Sequence, residues 1–175
     1  MSASDIKRFA HAIERDIFPV AMKFGLRYEC IEDRIYALSS RAVAVKIYFP
    51  ECHGYDVTVC LSPTLDRGWN AEKERGLVWF LRFLGKDARL PDRVGTIPFL
   101  IGGLVSKYVT PLSVVLEHFA EATPDLWRRF FEFYEKAAAE EMAKRSFTLN
   151  LASLPFSKEG PNQPLQPTRP FGPRG

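Results

Sequence analysis

Residues 43–49 read VAVKIYF and residues 55–61 read YDVTVCL, so apolar side chains occupy every second position of both segments. A period of two is typical of a β-strand that turns one face toward a core and the other toward water. The intervening residues 50–54, PECHG, contain proline and glycine, which favour a turn. We therefore predict an antiparallel hairpin with eight residues on its inner face: Val43, Val45, Ile47, Phe49, Tyr55, Val57, Val59 and Leu61.

The same alternation begins earlier in the chain, at Leu26. Polar turn signals interrupt it at residues 32–34 and at residues 39–40. The resulting segments have the length of strands, and consecutive strands joined by short turns pair antiparallel. The sequence therefore predicts a four-stranded antiparallel meander between residues 26 and 61.

A helix is predicted before the sheet. Its apolar residues follow the spacing of one helix face: Ile6, Phe9, Ala10, Ile13 and Ile17. Pro19 lacks the backbone N–H that a helix interior needs, so it should bend or restart this helix. Gly25 readily adopts the left-handed conformation that ends many helices.

Three further helices are predicted after the sheet. Their starts are marked by capping residues at Asn70, Thr110-Pro111 and Thr123-Pro124. Each carries an apolar stripe, which is expected to face the core. The stripes are Leu77, Phe80, Leu81 and Leu84 in the first helix, Leu112, Val115, Leu116 and Phe119 in the second, and Trp127, Phe130, Phe131, Tyr134, Ala138 and Met142 in the third.

Residues 1–154 are therefore predicted to form a single α+β domain. In it an N-terminal helix precedes the four-stranded meander, and three or four further helices pack on one face of the sheet. Residues 155–175 have no apolar periodicity, and proline recurs in them at every third position from 161 to 173. This is the repeat of a polyproline II helix, so we expect a disordered, proline-rich tail.

Composition and charge argue against several classes of function. With 46% hydrophobic and 26% charged residues, the chain resembles ordinary globular proteins. The net charge is +3, of which the tail supplies +2 through Lys158, Arg169 and Arg174 against Glu159, so no nucleic-acid partner is expected. The N-terminus does not resemble a signal peptide, and the longest apolar run, residues 97–105, is too short to cross a membrane. We expect a cytoplasmic protein.

No group of residues predicts catalysis, a cofactor or a metal site. Cys52 and His53 lie in the predicted hairpin turn, where adjacent side chains diverge instead of converging on a substrate. Together with Cys30 and Cys60 they could supply four zinc donors, but no CxxC or HxxxH spacing preforms half of such a site. Cys60 is expected opposite Ala44 on the outer face of the sheet, and all cysteines are expected to be free thiols.

The sequence favours a non-catalytic protein that binds another protein. In size and layout alone, the predicted domain is comparable with small bacterial immunity and accessory proteins. The outer face of the hairpin combines charged, hydroxyl and aromatic side chains, a mixture that suits a protein interface. The predicted contact residues on this face are Lys46, Tyr48, Asp56 and Thr58.

A small enzyme is the alternative from a different class. Its cleft would lie beside the loop of residues 86–96, whose polar side chains are Asp87, Arg89, Asp92 and Arg93. Convergence of these side chains in a deep apolar pocket would favour this alternative.

The tail offers a third hypothesis. Residues 164–169 read PLQPTR and fit the PxxPxR pattern, which resembles the ligands of SH3 domains. In such ligands the prolines, here Pro164 and Pro167, fill aromatic grooves, and the basic residue, here Arg169, meets an acidic pocket.

Replacing Val57 by aspartate tests the predicted facing of the hairpin. The substitution places a carboxylate without a partner against the inner face, and burying such a charge is strongly unfavourable. We expect Val57→Asp to unfold the protein, seen as loss of the cooperative thermal transition. A melting temperature equal to that of the wild type would contradict the facing.

Overall fold

The computed structural model describes four stretches of the chain: residues 3–49, 57–64, 70–86 and 101–152. Met1–Ala138 forms one compact unit, and a second unit, Ala139–Gly175, begins inside the last helix. The predicted end of the domain at residue 154 and the predicted tail, residues 155–175, lie outside the described residues. Both therefore stay predictions.

The predicted N-terminal helix is present in three consecutive parts. These parts are α1 (Ala3–Ala12), a π-helical turn (Ile13–Ile17) and α2 (Phe18–Lys23). The wider turn ends two residues before Pro19, whose ring would clash with the preceding turn of a regular α-helix. Gly25 ends α2 with a φ of 64°, and the N–H of Leu26 donates to the carbonyl of Ala21 over 2.8 Å.

In the described residues, five strands form one antiparallel sheet in sequential order, one more than predicted. They are β1 (Arg27–Glu32), β2 (Ile35–Ser39), β3 (Val43–Tyr48), β4 (Thr58–Pro63) and β5 (Arg75–Gly76). β5 pairs with Cys60 and Leu61 of β4. Its two residues are too few to show any alternation in the sequence, so it escaped prediction. The predicted α+β fold with an antiparallel meander is confirmed.

The inner face of the β3–β4 hairpin is as predicted. Val45 lies opposite Leu61, and the seven predicted inner residues that are described are at most 5% exposed. The predicted register is wrong, because Cys60 lies opposite Lys46 and not opposite Ala44. A shift of two residues leaves every side chain on its predicted face, since a strand has a period of two. The eighth inner residue, at position 55, lies outside the described stretches.

Three helices longer than one turn follow β4 in the described residues: α3 (Leu77–Phe83), α4 (Ile101–Phe119) and α5 (Pro124–Ala152). The predicted start at Thr123-Pro124 is confirmed, because Thr123 Oγ1 accepts a hydrogen bond from the N–H of Leu126 over 3.3 Å. The buried stripe of α5 is shorter than predicted, since Met142 is 70% exposed.

Two other predicted helix starts are wrong. Asn70 caps a short 3-10 turn, Ala71–Lys73, and α3 begins farther along the chain. Pro111 lies inside α4 and not in its first turn. The helix extends upstream of the proline because Leu104 and Val105 are buried, and that burial offsets the one backbone hydrogen bond that proline cannot make.

An aromatic cluster joins α3, α4 and α5. Phe80 stacks on Phe130 with ring centroids 4.0 Å apart, and Phe119 and Trp127 meet Phe80 edge-on at 5.0 and 5.8 Å. These four rings and the inner face of the sheet belong to one buried core. Trp127 also ties the cluster to the sheet, because its Nε1–H donates to the carbonyl of Ala42 over 3.1 Å.

Truncating Phe80 tests how much this cluster contributes to the stability of the protein. Phe80→Ala removes a fully buried ring, and such truncations lower the free energy of unfolding by about 3–5 kcal/mol. Urea denaturation measures the change. The control truncation Met22→Ala, at a side chain that is 63% exposed, should lower it by less than about 0.5 kcal/mol. Equal losses in the two variants would contradict the packing of α3 on its neighbours.

Candidate functional site

Three of the four contact residues predicted on the sheet lie together. Tyr48 is opposite Thr58, and Lys46 is opposite Cys60. The Nζ of Lys46 is 5.5 Å from the centre of the Tyr48 ring, and the Thr58 and Cys60 side chains are close enough to Tyr48 to influence its pKa. We call Lys46, Tyr48, Thr58 and Cys60 the outer-face cluster. Asp56 lies outside the described residues.

Cys60 is the buried member of the outer-face cluster. Its side chain lies near Glu74, which directly precedes β5. Burial, and after it Glu74, raise the pKa of the Cys60 thiol to about 12. Because the thiolate is the nucleophilic form of cysteine, this group is held in its unreactive state at neutral pH. Burial also raises the pKa of Tyr48.

The outer face of the sheet is less open than the sequence predicted. Ala44, Cys60 and Ser62 are buried although they belong to this face. The chain that follows β4 returns to it, where the N–H of Asn70 donates to Ser62 Oγ over 3.4 Å. On β3 and β4, the outward residues that stay partly exposed are Lys46, Tyr48 and Thr58.

Other candidates from the sequence can be placed only in part. Within the described stretches, no group of three or more His, Cys, Asp or Glu side chains could hold a metal ion. The remaining candidates lie outside those stretches: Cys52, His53, Asp87, Arg89, Asp92, Arg93, Pro164, Pro167 and Arg169.

A surface that the sequence analysis did not single out lies along α2 and β1. Phe18, Met22 and Ile31 are 41%, 63% and 53% exposed. The Phe18 ring packs edge-on against Tyr28, with 5.3 Å between the centroids. β1 is the first strand of the sheet, and no described strand pairs with its outer edge. We call Phe18, Met22, Tyr28, Ile31 and this strand edge the edge surface.

The sequence contains a signal for part of this surface. Phe18 and Met22 are four residues apart, which is the spacing of one helix face. Neither belongs to the buried stripe that includes Phe9, Ile13 and Ile17. Apolar residues outside such a stripe indicate a second apolar face on the helix.

A cleft of about 670 Å³ opens at the end of α2. Its walls come from residues 24–25, from residues 40–42 in the β2–β3 turn, and from residues 120–122 with Pro124 in the α4–α5 turn. The sequence instead predicted a cleft beside residues 86–96, a loop that is described only at its first residue.

Comparison with protein-family models, with curated proteins and with solved structures finds no match. In the parts of the chain that are described, no helix combines the length and the apolar character that a bilayer crossing requires. The predicted cytoplasmic location stays a prediction.

The two described cysteines should differ in reactivity toward thiol reagents. Cys30 is exposed, whereas Cys60 is buried and its pKa is raised. In a Cys52→Ser background at about pH 8, we expect the disulfide reagent DTNB to modify Cys30 rapidly and Cys60 only in denaturant. Rapid modification of both thiols in the folded protein would contradict the burial of Cys60.

The raised pKa of Cys60 also determines how this thiol changes the stability of the folded protein as the pH rises. The folded protein holds the thiol proton more tightly than the unfolded chain does, so this contribution is complete below about pH 8.5. It is lost as the pH rises toward about 12. In denaturation experiments over this range, Cys60→Ala should therefore lose less stability than the wild type.

Proposed function

We propose that this chain is a non-catalytic protein that binds another protein through the edge surface. The observation that carries the proposal is the exposure of large apolar side chains on neighbouring elements. Among the described residues four large apolar side chains are exposed, and three of them, Phe18, Met22 and Ile31, lie on α2 and β1, which contact each other. Apolar side chains exposed on neighbouring elements favour an interaction site, whereas isolated ones are common on any surface.

The strand edge indicates the kind of partner. From Arg27 to Cys30, β1 offers backbone N–H and C=O groups to which an extended peptide can add as a further strand. The irregular register between Cys30 and Glu32 interrupts the edge beyond that point. We therefore propose a partner with an extended segment, whose apolar side chains contact Phe18 and Met22.

The outer-face cluster supports the same class of function. Tyr48 is partly buried and contacts the Lys46 ammonium, so it would lose little side-chain entropy on contact with a partner. Tyrosine is also enriched among the residues that contribute most to protein binding. Lys46, Tyr48 and Thr58 of this cluster, together with Asp56, are the contact residues predicted from the sequence.

Raised pKa values disfavour two described groups, Tyr28 and Cys60, as catalytic nucleophiles or bases. Burial raises the pKa of Tyr28 to about 12, as it does for Cys60. A group that keeps its proton at neutral pH is poorly suited to act as a nucleophile or general base. A small enzyme that uses the loop of residues 86–96 is the competing hypothesis.

Affinity capture from the source cell, with the wild-type chain and folded variants of it as bait, tests the proposal. We expect Met22→Lys and Ile31→Lys each to weaken a partner interaction at least about tenfold, because a lysine in an apolar interface must lose its hydration. Met142→Lys is the matched control, since Met142 is also highly exposed but does not belong to the edge surface. Circular dichroism checks that each variant is folded.

Two further variants distinguish partner binding at the edge surface from binding at the two surfaces that the sequence predicted, the outer face of the hairpin and the tail. Loss of the partner in Tyr48→Ala, with retention in Met22→Lys and Ile31→Lys, would assign the contact to the outer-face cluster. Loss on deletion of residues 155–175 would assign it to the tail. Either result would contradict docking at the edge surface.

A further inference from the structure

The cleft at the end of α2 has the size of a small-molecule site. Its volume of about 670 Å³ falls within the range of about 300–1,000 Å³ that is typical of ligand pockets. Its walls come from three turns that are far apart in the sequence. The site therefore exists only in the folded protein.

Hydrogen bonds hold the turns of the cleft in place. Ser40 Oγ donates to the carbonyl of Ala120 over 3.1 Å, and it accepts from the N–H groups of Ala42 and Val43 at 3.1 and 3.3 Å. The bond from Trp127 to the carbonyl of Ala42 fixes the same β2–β3 turn to α5. A cleft that is formed before the ligand arrives lowers the entropy lost on binding.

Two opposite charges line this cleft. Arg41 directly follows Ser40 and Glu121 directly follows Ala120, so the bond between Ser40 and Ala120 joins the two turns that carry these charges. Both residues are exposed. Within the described stretches, neither side chain is engaged in an ion pair or a hydrogen bond.

This pair of charges restricts the ligand chemistry. A cationic ligand would be repelled by Arg41, and an anionic ligand would be repelled by Glu121. An uncharged apolar ligand would interact with neither charge. A dipolar ligand satisfies both charges, and its apolar part can contact the uncharged lining residues Phe24, Ala42, Ala122 and Pro124.

We propose that the cleft binds a small zwitterion with an apolar body, namely an apolar amino acid or dipeptide. The ligand carboxylate accepts two hydrogen bonds from the Arg41 guanidinium, and the ligand ammonium donates to the Glu121 carboxylate. The cleft and the edge surface are built from different residues, so this proposal does not depend on the proposed protein partner.

Isothermal titration calorimetry on the full chain tests the proposal with four probes. Leucyl-leucine carries both charges, its N-acetyl derivative lacks the cation, its amide lacks the anion, and leucine is the single residue. We expect leucyl-leucine or leucine to bind in the millimolar range or more tightly, and the tighter of the two identifies the ligand size. Each blocked dipeptide should bind about tenfold more weakly than leucyl-leucine, which corresponds to about 1.4 kcal/mol.

Variants assign each end of the ligand to its residue. Arg41→Gln should remove the preference for a free carboxylate and keep the preference for a free ammonium. Glu121→Gln should remove the preference for a free ammonium and keep the preference for a free carboxylate. Arg27→Gln and Glu29→Gln, exposed on β1 and absent from the cleft lining, are matched controls that should keep both preferences. The proposal is overturned if neither leucine nor leucyl-leucine gives heat of binding at millimolar concentration, or if blocked and free dipeptides bind equally.

Discussion

The pairing of β3 with β4 is the contact on which the rest of the structure depends. It places Val45 beside Leu61 and Ile47 beside Val59, and these side chains form part of the core that the helices cover. A helix also binds the backbone of this hairpin, because the Tyr108 hydroxyl of α4 donates to the carbonyl of Val57 over 2.8 Å. Displacing β3 by one residue would turn polar side chains into the core, so the facing of this pair constrains every other element.

Much of the fold could be predicted because its main elements have clear periods. The two-residue period fixed the faces of β3 and β4, and the oxygen cap before Pro124 located the start of α5. The predictions failed where tertiary contacts outweighed a local signal. Pro111 resembles a helix start, yet the buried residues before it extend α4 upstream, and β5 exists only because β4 offers it a partner.

The candidate sites were less predictable than the fold. The proximity of Tyr48 and Thr58 follows from strand alternation, so the sequence could place them on one face. The burial of Ser62 depends on where the chain returns after β4, which no local pattern records. The cleft depends on a contact between Ser40 and Ala120, residues 80 positions apart in the chain, so no short motif could reveal it.

The helical phase on the two sides of the π-helical turn has a consequence for the position of the edge surface. The buried residues keep a spacing of three or four through this turn, from Ile13 and Ile17 to Val20 and Ala21. Phe18 and Met22 therefore lie off the buried stripe, and Phe18 reaches the Tyr28 ring. The phase of one helical segment, and not its composition alone, therefore decides which aromatic and thioether groups this protein presents beside its sheet.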